Sequence, residues 1–201
     1  IELDNFEIPI LDGSAIQYTE AFARVGLTQQ SRKRRYIRIT QPFQIEENGK
    51  TIGIFPSDTL SIRYEINFPH PVIGEQHLEV ELVGDNYARF IAPARTFGFL
   101  HEVQALQASG LVRGGSLENA IVLTQDGMLN PTELRFPDEF VRHKILDAIG
   151  DFSLIGYPIL AEIELHRAGH ELQTRLVQEL LEQVGAYSIY VPQDSEEFEA
   201  P

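Results

Sequence analysis

From residue 36 onward, apolar and polar positions alternate with period two in four short runs: Tyr36-Ile37-Arg38-Ile39, Thr51-Ile52-Gly53-Ile54-Phe55, Leu60-Ser61-Ile62-Arg63-Tyr64-Glu65-Ile66 and Leu78-Glu79-Val80-Glu81-Leu82. Alternation turns one face of a strand to a core and the other to water. Gly, Pro and Asn between the runs supply turns, so this stretch predicts an antiparallel sheet. A short helix is expected over 86–92 with Asp85 as its N-cap, and a second helix carries Leu100, Val103 and Leu106. Gly114-Gly115 then breaks the chain into a strand over 120–123. Two stronger helices, 138–149 and 170–184, flank a strand-like run over 154–165, and the last helix is expected to bury Leu172, Leu176, Val177, Leu180 and Leu181. Strands followed by helices predict an α+β fold, a two-layer sandwich of antiparallel sheet and helices.

The first thirty residues are patterned differently. Ile8-Pro9-Ile10 reads as a strand, Asp12-Gly13-Ser14 as a turn, and Ala15, Ile16, Ala21, Phe22 and Val25 as a helix closed by Gly26. So few residues cannot build a core alone, and the chain opens on a strand-like Ile1-Glu2-Leu3 with no cap or turn before it. The expected organisation is therefore a C-terminal remainder of a first α+β domain (1–30), a basic linker (31–35), a nearly complete second α+β domain (36–190) and an acidic tail (191–201).

Composition narrows the function. With 43% apolar and 23% charged residues among 201, the chain is that of a globular protein, and no apolar run approaches the ~20 residues that span a bilayer. Stable membrane insertion is not expected. Residues 1–12 lack the pattern of a signal peptide and cysteine is absent, so the expected setting is cytoplasmic. A formal charge of −14 repels a phosphate backbone and argues against nucleic acid as a partner, the basic run Arg32-Lys33-Arg34-Arg35 notwithstanding. Without thiolates, any metal must be held by His and carboxylate, a set that suits zinc in an open, catalytic site.

The helix from Asp138 carries the candidate chemistry. Projected at about 100° per residue, His143, Lys144, Asp147 and Asp151 share one arc, and Val141, Ile145, Ala148 and Ile149 form an apolar stripe opposite. His143 and Asp147, four apart, emerge one above the other and can both reach a cation beside the helix. A solvated face with a weak surface pair is the other reading of the same spacing. His170, behind Gly169 at the start of the last helix, reads either as a reactive group or as a cap. His70, His77, His101 and His166 read as structural or surface residues.

In order and spacing, these residues and several others resemble the UDP-3-O-acyl-N-acetylglucosamine deacetylases of lipid A biosynthesis. The resemblance runs through Glu7-Ile8-Pro9-Ile10-Leu11-Asp12-Gly13-Ser14, Ala94-Arg95-Thr96-Phe97-Gly98-Phe99, Gly114-Gly115-Ser116, Phe140-Val141-Arg142-His143-Lys144-Ile145-Leu146-Asp147-Ala148-Ile149-Gly150-Asp151 and Gly169-His170. It implies zinc-dependent deacetylation of an acylated UDP-amino-sugar, with His143 and Asp147 as two of three zinc ligands. It further implies His170 as general acid, Asp151 as the carboxylate that orients it, and Thr96 as a hydroxyl beside the reacting carbonyl. Phe97 would pack on the sugar, Lys144 would face the reacting end, and Arg167 would stand where the family commonly has a lysine near the diphosphate. Residues 96–116 would form an insert lining an acyl passage, with Leu106 and Leu111 among its apolar residues.

One part of the family pattern has no counterpart. The third zinc ligand and the general-base glutamate lie in a Thr-Val-Glu-His type motif upstream of the position of Ile1, and no such motif occurs here. The expectation is a chain that lacks the N-terminal part of its first domain and is inactive alone, with that segment as its partner. The rival expectation is a non-catalytic module that binds the acylated UDP-sugar.

Overall fold

The computed structural model describes residues 2, 8–102, 116–131 and 133–193. Its centre is β8 (Ile159–His166), a strand with partners on both edges. On one edge β3 (Lys50–Pro56) runs antiparallel, from Thr51 opposite His166 to Pro56 opposite Ala161, and carries β2 (Phe43–Glu47) beyond it. On the other edge β4 (Leu60–Phe68) runs parallel, from Leu60 opposite Ala161 to Glu65 opposite His166, and carries β5 (Gly74–Glu81) antiparallel. The first residues of β8 pair in parallel with β1 (Tyr36–Ile39), which in turn pairs antiparallel with β9 (Tyr187–Tyr190).

Antiparallel pairs dominate, but the sheet is mixed. β4 and β1 are parallel to β8 because each reaches it by a long connection rather than a hairpin, and hydropathy alternation is blind to that. Register follows the alternation closely. Ile54, Ile163 and Ile62 lie side by side across β3, β8 and β4, as do Ile52, Leu165 and Tyr64, and all are buried. The opposite face carries Arg63, which pairs with Glu79, Glu162 and Glu164.

Two helices cover the inner face. α2 (Glu139–Ser153) buries Phe140, Val141, Ile145, Ala148 and Phe152, and α3 (His170–Glu182) buries Leu172, Leu176, Val177 and Leu180. The result is the two-layer α+β sandwich that the sequence predicts. α1 (Ile16–Val25) precedes the sheet, ends at Gly26 with φ 73°, and has no buried residue.

Several local expectations are corrected. Residues 86–92 form a single π-helical turn (Tyr87–Ile91), and Asp85 pairs with Arg89 instead of capping it. Ile8, Pro9 and Ile10 are not in a strand, and 154–158 form a turn with Gly156 at φ 84° rather than the start of β8. Leu181 is 42% exposed, because α3 rolls that side away from the sheet. β6 (Phe97–Phe99) pairs in parallel with β7 (Ile121–Leu123), a small second sheet of which only β7 was predicted. β2 and β9 were not expected either: each is short, and only Ile45 of β2 is buried among their residues. A tight Asn48-Gly49 turn, both residues at positive φ, folds β2 onto β3. Of the helix expected to carry Leu100, Val103 and Leu106, only Leu100 falls within the described residues; Leu106, Leu111 and most of the acidic tail lie outside them.

Candidate active site

α2 presents His143, Lys144 and Asp147 at the edge of the core, with the apolar stripe fixing the helix roll. His143 is itself buried, 7% exposed, which removes the solvated-face reading for this residue. Its Nδ1 lies 3.1 Å from the carbonyl oxygen of Ala94. A carbonyl can only accept, so Nδ1 carries a proton and Nε2 is directed outward. That atom stands 3.4 Å from Asp147 Oδ1. Two lone-pair atoms facing each other at this distance are stable only with a proton or a cation shared between them.

The carboxylate of Asp147 also accepts from Lys144 Nζ at 2.7 Å. Burial raises its pKa, but the hydrogen bond and charge of His143 and the neighbouring Lys144 ammonium outweigh burial and hold the group down to about 2. His170, from the first position of α3, closes the arrangement. Its Nε2 is 3.7 Å from Asp147 Oδ2, and its Nδ1 is 2.7 Å from Asp151 Oδ2. The imidazole thus bridges two carboxylates of a different helix, and it does not cap its own, for Gly169 precedes α3 without a side-chain cap.

The opposite wall comes from residues 92–99. Thr96 N–H donates to the carbonyl of Gly13 at 2.7 Å, and Ala15 N–H to that of Ala92 at 2.9 Å, so the Asp12-Gly13-Ser14 turn braces this segment. Gly13 sits at φ 85°, and a Cβ there would come within 2.1 Å of the Asn119 carbonyl oxygen and 3.1 Å of Thr96 Cγ2. Only glycine fits. Asp12 accepts from Ser14 and from Arg135 Nη2 at 2.6 Å.

A hollow of about 270 Å³ opens between these walls, lined by Thr96, Phe97, His143, Lys144, Asp147 and His170. Phe97 stacks edge-on against Phe140 and Phe68, with centroids 5.0 and 5.9 Å apart. Arg167 is not in this hollow. With Lys50 and Lys144 it lines a neighbouring one of about 290 Å³, and Phe68 and Lys144 belong to both. Asp151 stands one helical turn beyond Asp147, outside the hollow, and touches it only through His170. Sequence reasoning missed Phe68, Glu102 and Lys50; of these only Lys50, directly after the Asn48-Gly49 turn, carried a local signal of where it would point. His166, for which no partner was apparent, pairs with Glu65 on the outer sheet face.

A family model described as UDP-3-O-acyl N-acetylglycosamine deacetylase matches residues 1–182. The chain belongs to that family. Curated relatives bearing the name UDP-3-O-acyl-N-acetylglucosamine deacetylase include one from Nitratiruptor sp., 48% identical over 189 residues that cover 94% of this chain and 63% of the relative. Those of Syntrophotalea carbinolica and Chromobacterium violaceum are 44% and 45% identical, with 90% of this chain matched to 59% and 60% of the relatives. This deacetylase-family chain therefore spans about three fifths of the length of the relatives it matches. Among the described residues, no group of three or more His, Cys, Asp or Glu side chains is arranged to hold a metal ion. No helix among them is long and apolar enough to cross a membrane.

Proposed function

We propose that this chain supplies the larger part of the active site of a zinc-dependent deacetylase acting on UDP-3-O-acyl-N-acetylglucosamine, in lipid A biosynthesis. The observation that carries the reading is the His143–Asp147 pair, with Nε2 and Oδ1 3.4 Å apart and His143 Nδ1 held by the Ala94 carbonyl. A neutral imidazole nitrogen beside a carboxylate is a donor set that suits zinc. His143 and Asp147 would hold the ion, and a third protein ligand and a general-base glutamate would come from the part of the relatives' length that this chain does not span. When bound, zinc would polarise the acetamide carbonyl and lower the pKa of water.

The chain's own residues divide the remaining work. Asp151 accepts from Nδ1 of His170 and leaves Nε2 facing the hollow, as a proton donor to the departing amine must. Thr96 lines the same hollow, a hydroxyl donor for the oxygen on which negative charge develops. Lys144 adds a fixed positive charge, and Phe97 offers an aromatic face for the sugar. Lys50 and Arg167 line the adjoining cationic hollow, which suits the diphosphate; the guanidinium adds bidentate geometry where a lysine would give a point charge. Leu106 and Leu111 we assign to the acyl passage. Replacing either by Glu would then weaken binding of the acylated UDP-sugar more than of its deacylated counterpart.

The test compares this 201-residue chain with a protein extended to the length of its relatives. The extended protein should hold zinc stoichiometrically and release acetate from the substrate, and the chain alone should do neither. Turnover by the chain alone would overturn the two-ligand reading. Tight acyl-UDP-sugar binding by the extended protein without hydrolysis would favour the rival reading, a binding module.

A further inference from the structure

The first residue of α2, Glu139, is fully inaccessible to solvent, yet it is a carboxylate. Its partners explain how. Oε1 accepts from the backbone N–H of Arg95 and from Arg95 Nε, both at 2.9 Å. Oε2 accepts from Arg95 Nη2 at 3.1 Å and from the backbone N–H of Arg135 at 2.6 Å. Burial raises the pKa of Glu139, but these donors and the Arg95 charge outweigh it and hold the group below its ordinary value.

The N–H of Arg95 and the C=O of Ala94 belong to one planar peptide unit and point in opposite directions. Glu139 grips the N–H side. His143, four residues along the same helix, donates Nδ1–H to the C=O side at 3.1 Å. The peptide is clamped between i and i+4 of α2, so it cannot rotate without breaking a bond to the buried carboxylate. A negative charge on the N–H also polarises the peptide and makes its carbonyl a stronger acceptor for His143.

We infer that Glu139 is a positioning residue: through the Ala94–Arg95 peptide it fixes the tautomer and ring orientation of His143, and so aims Nε2 at Asp147. It does for His143 across one peptide what Asp151 does for His170 directly. The consequence for metal affinity rests on the function proposed above; the tautomer does not.

The experiment is nitrogen NMR of the chain with labelled histidine, without metal, alongside cobalt titration of the protein extended to the length of its relatives. At a pH where the His143 ring is neutral, wild type should carry its proton on Nδ1. E139Q presents a donor as well as an acceptor and should admit the Nε2–H tautomer, with cobalt affinity falling roughly 10–100-fold. R95Q removes the guanidinium but keeps the backbone N–H, and should leave the tautomer intact. A pure Nδ1–H signal in folded E139Q, or equal disturbance in both variants, would overturn the inference. Should E139Q fail to fold, amide exchange in wild type decides: Arg95 N–H must be protected, and exchange at the free-chain rate sinks the clamp. If no variant nor wild type binds cobalt while the tautomers behave as stated, the metal reading fails and the positioning role stands.

Discussion

His170 and Asp151 lie on different helices, nineteen residues apart in sequence, with Nδ1 and Oδ2 separated by 2.7 Å. The contact commits one ring nitrogen to the carboxylate and leaves the other in the hollow beside Asp147. In the extended, zinc-loaded protein, H170A should keep near-stoichiometric metal while kcat falls roughly 10²–10⁴-fold, the usual worth of a general acid. Zinc content by metal analysis beside kcat decides the matter: loss of zinc would make His170 a ligand, and unchanged kcat would make it structural.

His143 and Asp147 should behave in the opposite way. Replacing either by Ala removes one of the three protein bonds a catalytic zinc requires, so metal and activity should fall together. A variant that retains full zinc and loses turnover would assign its residue to the chemistry and not to the ion.

D151N should fall between these. Asn still accepts from Nδ1–H of His170 but without charge, so kcat should drop on the order of tenfold or more with zinc and substrate affinity nearly unchanged. A pH–rate profile measured beside wild type would show whether the carboxylate acts on the proton of His170 or only on its orientation. An unaltered kcat and profile would remove Asp151 from the mechanism.

G13A tests the brace under Thr96. The added methyl meets a backbone carbonyl at 2.1 Å in a left-handed conformation, and a non-glycine residue in such backbone alone costs about 1–3 kcal/mol. Denaturant unfolding should show at least that loss. A variant as stable as wild type would mean that the 12–14 turn does not hold this wall.

Acid should loosen the same region. The folded-state pKa values of Glu139 and Asp12 lie below their ordinary 4.5 and 3.8: burial opposes ionisation, but Arg95 and Arg135 and their hydrogen bonds prevail. A depressed carboxyl contributes stability that is complete above its unfolded pKa and is lost as pH falls through its folded one. Stability should therefore hold above pH 4.5 and decline below it. E139Q, about 3 kcal/mol less stable near neutrality for breaking a buried pair, should close the gap with wild type as pH drops. A gap independent of pH would show that Glu139 is not ionised in the fold.

Much of this protein was written in its local pattern. Alternation located β1, β3, β4 and β5, helical spacing located α2 and α3, and the arc of His143, Lys144 and Asp147 followed from the helix period, because each depends only on neighbours in the chain. The pairing partners of β8 did not follow, since parallel and antiparallel strands bury the same alternation. Nor did the meeting of His170 with Asp151, the clamp of Glu139 on the Ala94–Arg95 peptide, or the closeness of Gly13 to Asn119. Those are contacts between segments nineteen or more residues apart, set by how the helices and loops close over one sheet. Residue spacing along a chain carries no record of that closure, so only the tertiary structure decided them.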